Sequence, residues 1–403
     1  MILMDAVSLP AGLPAAAVVD LAAIRHNVRT LAERAGAAGV MAVVKADAYG
    51  HGLLPSARAA VEGGAAWLGV AQLGEALALR AAGFDTPLLA WLTVPGEAYA
   101  DAVRAGVDLG ISASWALEEI AAAARATGRT ARVHIKLDTG LNRNGVSGTD
   151  WADLLEATLK RQAEGTVELV GLFTHYAWAD APAHPTVTAQ TGAFAAAVEF
   201  AEARGARLEV RHASNSAATL TNPAAQFDLV RPGLAVYGLS PVPDLGTAAD
   251  FGLRPAMTLL TRVANVKPVA AGQGISYGHA YTTTADTMAA LLPVGYADGL
   301  PRHAGNTGPV ALGGRRYRVA GRVCMDQVVL DLGREGDGGV IEVRPGDVAV
   351  VFGTGEDGGP TAQDWADAAG TISYEIVSRI GARVPRIHVD SDAVDSDAVD
   401  SDA

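Results

Sequence analysis

A lysine stands where the apolar run 40–44 meets a glycine-containing turn in AVVKADAYGHG, so Lys45 falls at the end of a buried strand with Tyr49 and His51 just behind it. An amine in that setting loses part of its hydration, its pKa falls, and it becomes competent for Schiff-base chemistry with an aldehyde. The competing use is snorkelling, in which the stem packs on the strand and the head reaches water. Residue usage gives the position weight: the chain has four lysines, Lys45, Lys136, Lys160 and Lys267, against 27 arginines. Where arginine is the default cation, a lysine asks what a permanently charged guanidinium could not do there. Further strings carry chemical groups. Lys136 and Arg143 lie in IKLDTGLNRNG, His175 and Asp180 in LFTHYAWAD, Asn215 and Ser216 in HASNSAA, and Arg231, Gly233 and Leu234 in VRPGLAVYG. Ser216, at a strand-to-helix turn, could offer its hydroxyl to a phosphate or simply cap the helix.

The elements that must position these groups alternate. Short apolar runs predict strands over 40–44, 67–70, 88–92, 107–112, 133–137, 169–173, 208–212 and near Leu229, separated by Ala-rich stretches with apolar spacing near 3.6. The spacing predicts helices over 21–35, with Asp20 as cap, and over 73–82, 115–126 and 187–203. Eight such strands fit a closed (β/α)8 barrel or a doubly wound open sheet, and periodicity does not choose between them. Pro, Asp and Gly crowd 241–252, which reads as a linker. Beyond it, strand-like runs over 258–269, 288–293, 310–312, 316–319, 327–332 and 348–352, a helix over 361–369, a short segment 374–379 and a last strand over 383–388 predict a mostly antiparallel second domain.

Composition narrows the function classes. The chain has 403 residues, 50% hydrophobic and 19% charged, more than one ordinary core accommodates. Its formal charge is −13, but six acids fall in the threefold VDSDA repeat from Val389, leaving a body near −7. An acidic body without a basic stripe argues against nucleic acid as a partner. Apolar stretches are short and broken, and Met1 to Leu13 has no basic start, so neither membrane insertion nor secretion is expected and the cytoplasm is the default. Cys324 is the only cysteine, which excludes an intrachain disulfide and a thiolate metal cluster; no metal is expected. The repeat 389–403 reads as a disordered acidic tail.

AVVKADAYGHG resembles the pyridoxal-phosphate attachment motif of the alanine racemases, and the other strings follow in that family's order. The likeness continues past the linker with Tyr277 in ISYGHAY, Arg302 in VGYADGLPR, Arg322, Met325 and Asp326 in GRVCMDQ, and Tyr374 in GTISYEI. It implies an α/β fold with an N-terminal (β/α)8 TIM-like barrel over 1–247 and a C-terminal, mostly antiparallel β-domain over 248–388, with some of the first residues joining the latter. It implies pyridoxal 5'-phosphate on Lys45, its phosphate held by Ser216, Gly233, Leu234, Tyr49 and Tyr374, with Asn215 and His175 nearby. Arg231 would face the pyridine nitrogen and, as a donor only, leave it unprotonated, which limits electron withdrawal and suppresses side reactions. Removing and returning a proton on opposite faces needs two bases; the resemblance implies Lys45 and Tyr277, the latter from the second subunit of a homodimer with shared sites. Arg143 and the Met325 amide would hold the substrate carboxylate, Lys136 stands where many relatives carry a carbamylated lysine, and Asp180, Arg302 and Arg322 match a charged corridor. The implied reaction interconverts L- and D-alanine for peptidoglycan. Two alternatives share the barrel: a decarboxylase of basic amino acids, which Arg231 argues against, and a pyridoxal-phosphate carrier, which the second domain argues against. A racemase of broader substrate range is a third.

Overall fold

Asp20 joins two elements with one side chain, ending β1 (Ala15–Asp20) and accepting the Ala22 N–H at 3.0 Å to begin α1 (Leu21–Ala35). An N-cap of this kind is worth about 1 kcal/mol. The computed structural model describes residues 9–334 and 342–392. From α1 the chain alternates through β2 (Gly39–Val43), α2 (Lys45–Gly50), α3 (Leu53–Glu62), β3 (Trp67–Val70), α4 (Leu73–Ala81), β4 (Leu88–Ala90), α5 (Tyr99–Arg104), β5 (Asp108–Ile111) and α6 (Ser114–Thr127). It continues through β6 (Ala131–Lys136), α7 (Gly148–Ala163), β7 (Val167–Phe173), α8 (Pro185–Ala203), β8 (Val210–His212), α9 (Ser216–Thr221) and β9 (Leu229–Val230).

Strands β2 to β9 pair in parallel in the order β8-β7-β6-β5-β4-β3-β2-β9. Backbone bonds from Asp228 N to Arg211 O at 3.1 Å and from Arg231 N to Ser214 O at 2.8 Å bring the last strand beside β8, so the ring closes as a (β/α)8 barrel. All eight strands expected from the sequence are present. Strands β3, β4 and β5 are buried on both faces at every position, as parallel strands under a ring of helices require. Met41, Trp67, Leu89, Val170, Val210 and Leu229 pack together as one core cluster. Each such side chain taken out of water stabilises the fold by about 2 kcal/mol.

Two units divide the described chain: residues up to Ala23, Tyr49–Gly52 and Arg254 onward form one, and Ile24–Ala48 with Leu53–Leu253 the other. The first is the antiparallel unit. It contains β10 (Met257–Arg262), β11 (Asn265–Val269), β12 (Gly274–Ile275), β13 (Tyr281–Thr282), β14 (Thr287–Leu292), β15 (Pro309–Leu312), β16 (Arg315–Arg318), β17 (Val328–Asp331), β18 (Val348–Phe352), the helices α10 (Ala362–Ala369) and α11 (Ser373–Ser378), and β19 (Arg386–Val389). The run 258–269, read as one strand, is two: β10 sits in the six-stranded sheet β16-β15-β18-β10-β1-β19, while β11 pairs with β14 in a separate three-stranded sheet. The crossing is at Val263 and Ala264, whose amides bond Asp347 O and Leu291 O; no glycine or turn dipeptide stands there, so the sequence shows no break. β1 pairs antiparallel with β10 and parallel with β19. Val389 belongs to β19 and Ser391 bonds the Asp20 carboxylate, whereas residues 393–403 of the repeat lie outside the described residues.

Candidate active site

Lys45 opens α2, and that turn is wound the unusual way. Ala46, Asp47, Ala48 and Tyr49 have φ between 53° and 55°, the left-handed region, which costs a non-glycine residue roughly 1–2 kcal/mol each. Side-chain acceptors offset part of that strain: Glu75 takes the Ala46 N–H at 2.6 Å and Asp47 takes the Leu53 N–H at 2.7 Å. Strain concentrated directly behind one lysine is the pattern of a functional position. Lys45 itself is half-buried, and its pKa is lowered first by that burial and then by the charge of Arg143, with Glu75 opposing.

Three more cations share the barrel's carboxyl-terminal end. Lys136, the last residue of β6, is buried, and its pKa is pushed down to about 8 by desolvation, then by Arg231 and Arg143, with Asp138 opposing and Lys45 adding to the shift. Arg143 rides on the loop between β6 and α7, which the sequence DTGLNRNG builds. Asp138 accepts the amides of Gly140 at 2.9 Å and Asn142 at 3.1 Å, and Val146 returns to pair with the end of β6. Gly145 is required there: its φ is 134°, and a Cβ would lie 2.5 Å from Asp138 N. Arg231 is buried just after β9. Its Nη1 lies 3.1 Å from His212 Nδ1, while Nη2 donates to Thr174 O at 2.7 Å and Ala213 O at 3.2 Å and lies 3.5 Å from His175 Nδ1; Nε has no partner among the described residues. Burial, followed by the charges of Arg231, Arg143 and the two lysines, holds His175 well below the usual histidine range, so it is neutral at pH 7.

Ser216 is not the helix cap that its position allowed. Asn215 caps α9, accepting the Ala218 N–H at 3.0 Å, and this frees Ser216 Oγ to accept the amides of Gly233 at 2.8 Å and Ala235 at 3.3 Å. With its lone pairs so used, the hydroxyl keeps its proton to donate to an anionic oxygen. Leu234 begins the short 3-10 turn after Gly233 and is fully buried. Asp180 is exposed in the loop before α8.

In the antiparallel unit, Tyr49 and Tyr374 face one another with ring centroids 6.2 Å apart, and burial followed by Tyr374 drives the Tyr49 phenol above its ordinary pKa. Tyr277 stands in the turn between β12 and β13 and is 72% exposed. Next to it Ser276 Oγ donates to Arg322 O at 2.8 Å and lies 3.3 Å from Cys324 Sγ. Asn306, which sequence reading passed over, ties this turn to the next loop: its Nδ2 donates to Ala280 O at 2.9 Å and its Oδ1 accepts the Gly321 N–H at 2.7 Å. Gly295 presses so closely on Cys324 and Met325 that a Cβ would fall 2.3 Å from Cys324 O. Tyr277, Arg322 and Met325 are thus drawn together and exposed, and Arg302 opens the 3-10 turn whose Gly305 packs on the Arg322 backbone. Asp108, His134 and His212 are buried polar residues of the barrel interior that the sequence reading also missed.

Lys45, Lys136, Arg143 and Arg231 together make a positive site with few carboxylates to balance it, and a partly desolvated charge of that kind favours an anionic guest. A free Arg231 Nε and the undonated Ser216 proton are donors suited to a ring nitrogen and a phosphate. The donor set therefore fits a phosphorylated pyridine aldehyde.

Family models of the alanine racemase N-terminal and C-terminal domains match residues 19–241 and 256–388. The chain is 59% identical to an alanine racemase of Frankia casuarinae over 382 residues, covering 94% of this chain and 98% of the relative. It is 56% identical to that of Streptomyces coelicolor, covering 94% and 96%. Among solved structures, the alanine racemase of a D-cycloserine-producing Streptomyces lavendulae superposes with a TM-score of 0.92 at 53% identity, covering 95% of this chain and 98% of that one.

Proposed function

The chain belongs to the alanine racemase family, enzymes that interconvert L- and D-alanine, and from that membership we propose how its residues carry out the reaction. The cofactor is pyridoxal 5'-phosphate, which when bound withdraws electrons from the substrate's α-carbon and so acidifies its proton. Lys45 anchors it, and the observation that carries this reading is the half-buried Lys45 amine, made more acidic by burial and by Arg143 behind a strained turn. Ser216, Gly233 and Leu234, with Asn215 shaping the turn, hold the phosphate together with Tyr49 and Tyr374. Arg231 meets the ring nitrogen with a group that has no proton to give up at neutral pH, and His175 supports it.

Once its amine is free, Lys45 takes or returns the α-proton on one face of the substrate. Tyr277, exposed here, serves the opposite face as a residue of the partner subunit in a homodimer with shared sites. Arg143 and the Met325 amide hold the alanine carboxylate, and Asp180, Arg302 and Arg322 line its approach. Among the described residues no helix is long and apolar enough to cross a membrane; a cytoplasmic enzyme supplying D-alanine for peptidoglycan is the physiological reading. Purified protein should show visible absorbance from bound cofactor and form D-alanine from L-alanine in preference to other amino acids. Colourless protein, or carbon dioxide released from basic amino acids, would refute it.

Lys136 bears on substrate capture. With its pKa near 8, a sizeable fraction of its amine is uncharged, and an uncharged amine can attack carbon dioxide, forming an N–C bond and releasing a proton. The resulting carbamate would neutralise one cation and pair with Arg143. Because only the free amine reacts, a carbamate signal from 13C-bicarbonate should grow as pH rises through about 8. It should be absent from Lys136→Ala, whose KM for alanine should rise about tenfold or more as Arg143 loses its orienting partner. Added bicarbonate should not restore that variant, and a carbamate signal surviving the substitution would place the group elsewhere.

A further inference from the structure

A hydrogen-bonded chain crosses the barrel interior from the amino-terminal end of β5 to Arg231. Asp108, 3% exposed, accepts at Oδ2 from His134 Nε2 at 3.1 Å; His134 Nδ1 lies 3.0 Å from His212 Nε2; His212 Nδ1 lies 3.1 Å from Arg231 Nη1. Both imidazoles are fully buried. Their rings are held in place by packing: His212 stacks on Phe173 at 5.0 Å with an interplanar angle of 2°, and His134 meets Trp67 edge-on at 5.6 Å. Gly171 makes the room, since a Cβ there would sit 2.8 Å from His134 Nδ1. At the far end Arg132 Nε donates to both Asp108 oxygens, at 3.0 and 3.2 Å, and its other nitrogens pair with Glu168 and Glu209.

The two ends fix everything between them. A guanidinium only donates, so His212 Nδ1 must be bare and its Nε2 must carry the proton. That proton makes His134 Nδ1 an acceptor, leaving His134 Nε2 to donate to a carboxylate that only accepts. One assignment of tautomers satisfies all three bonds, with both rings neutral; burial and the adjacent Arg231 charge hold His212 well below the usual histidine range. Reversing either ring sets two donors, or two acceptors, face to face in a dry interior.

We propose that Asp108 is a remote positioning residue for the reaction, acting through His134 and His212 to fix the plane of the Arg231 guanidinium. The role rests on the reading that Arg231 meets the cofactor ring. Asp108→Asn makes the dependence testable, because its two ends are unalike. Arg132 can only donate, so the carboxamide oxygen turns to it and the NH2 faces His134. Both imidazoles must then reverse, and His212 presents an N–H to a guanidinium that has no acceptor to offer.

In Asp108→Asn, kcat for alanine should fall about 10- to 100-fold, the range for partners that orient a functional group from behind it, while KM moves less than about twofold. The visible spectrum of the bound cofactor should shift as the guanidinium tilts. Borohydride reduction of wild-type and variant separates the two layers of argument. Cofactor fixed to Lys45 in both, with unchanged kcat and spectrum in the variant, overturns the positioning role; no cofactor on wild-type Lys45 overturns the underlying reading instead. Should the variant fail to fold, neutron diffraction from the wild-type holoenzyme decides: deuterium on Nε2 and none on Nδ1 of both His134 and His212 is expected, and the opposite placement on either ring refutes the chain.

Discussion

Lys45→Ala is expected to abolish alanine racemisation, because in the proposed mechanism one substitution removes both the anchor for the cofactor and the base on one face of the substrate. General-base catalysis alone contributes about 10²- to 10⁴-fold, and loss of the covalent anchor adds to that. Wild-type enzyme treated with borohydride and digested should yield one labelled peptide containing Lys45, and the variant should yield none. The chain's three other lysines provide the contrary outcome: label on Lys136, Lys160 or Lys267 would remove Lys45 from the centre of the account.

Tyr277→Phe is the second large effect, and it should be unequal between enantiomers. If the phenol serves the face opposite Lys45, its loss lowers proton abstraction from L-alanine by about a thousandfold while Lys45 continues to abstract from D-alanine. In deuterated solvent D-alanine should therefore still exchange its α-hydrogen, with the deuterium returned on the same face and little L-alanine formed. Equal slowing from both enantiomers would contradict a two-base division of labour. The hydroxyl is the only atom removed, and Tyr277 is exposed, so the fold should be unaffected.

The eight strands were legible because they are short apolar runs between amphipathic helices, and all stand where the pattern put them; their closure into a barrel was not, since the same pattern fits an open sheet and only the family resemblance chose between the two. Lys45 and Ser216 were legible too, as polar residues at strand ends followed by turns. What else the sequence hides is of three kinds. The left-handed turn is one: Ala46, Asp47 and Ala48 have the composition of an ordinary helix, and only tertiary acceptors such as Glu75 select the other hand. The division of 258–269 between two sheets is another, since no glycine or turn dipeptide marks the crossing at Val263 and Ala264. Third, the chain from Asp108 to Arg231 joins residues on separate elements that only barrel register brings within 3 Å or so of one another. One signal for it was present. Arg132, His134 and Lys136 occupy alternate positions of β6, so three polar side chains share one face of a strand that is otherwise apolar, and a barrel has no reason to accept them without partners.

Mixing two inactive variants tests the shared two-base site most directly. Lys45→Ala subunits retain Tyr277, and Tyr277→Phe subunits retain Lys45; if each site draws these groups from different chains, a heterodimer contains one intact site and one doubly damaged one. After equal mixing and subunit exchange, with heterodimers verified by native mass measurement, racemisation should return to about a quarter of the wild-type rate. Heterodimers that form and remain inactive would contradict the account.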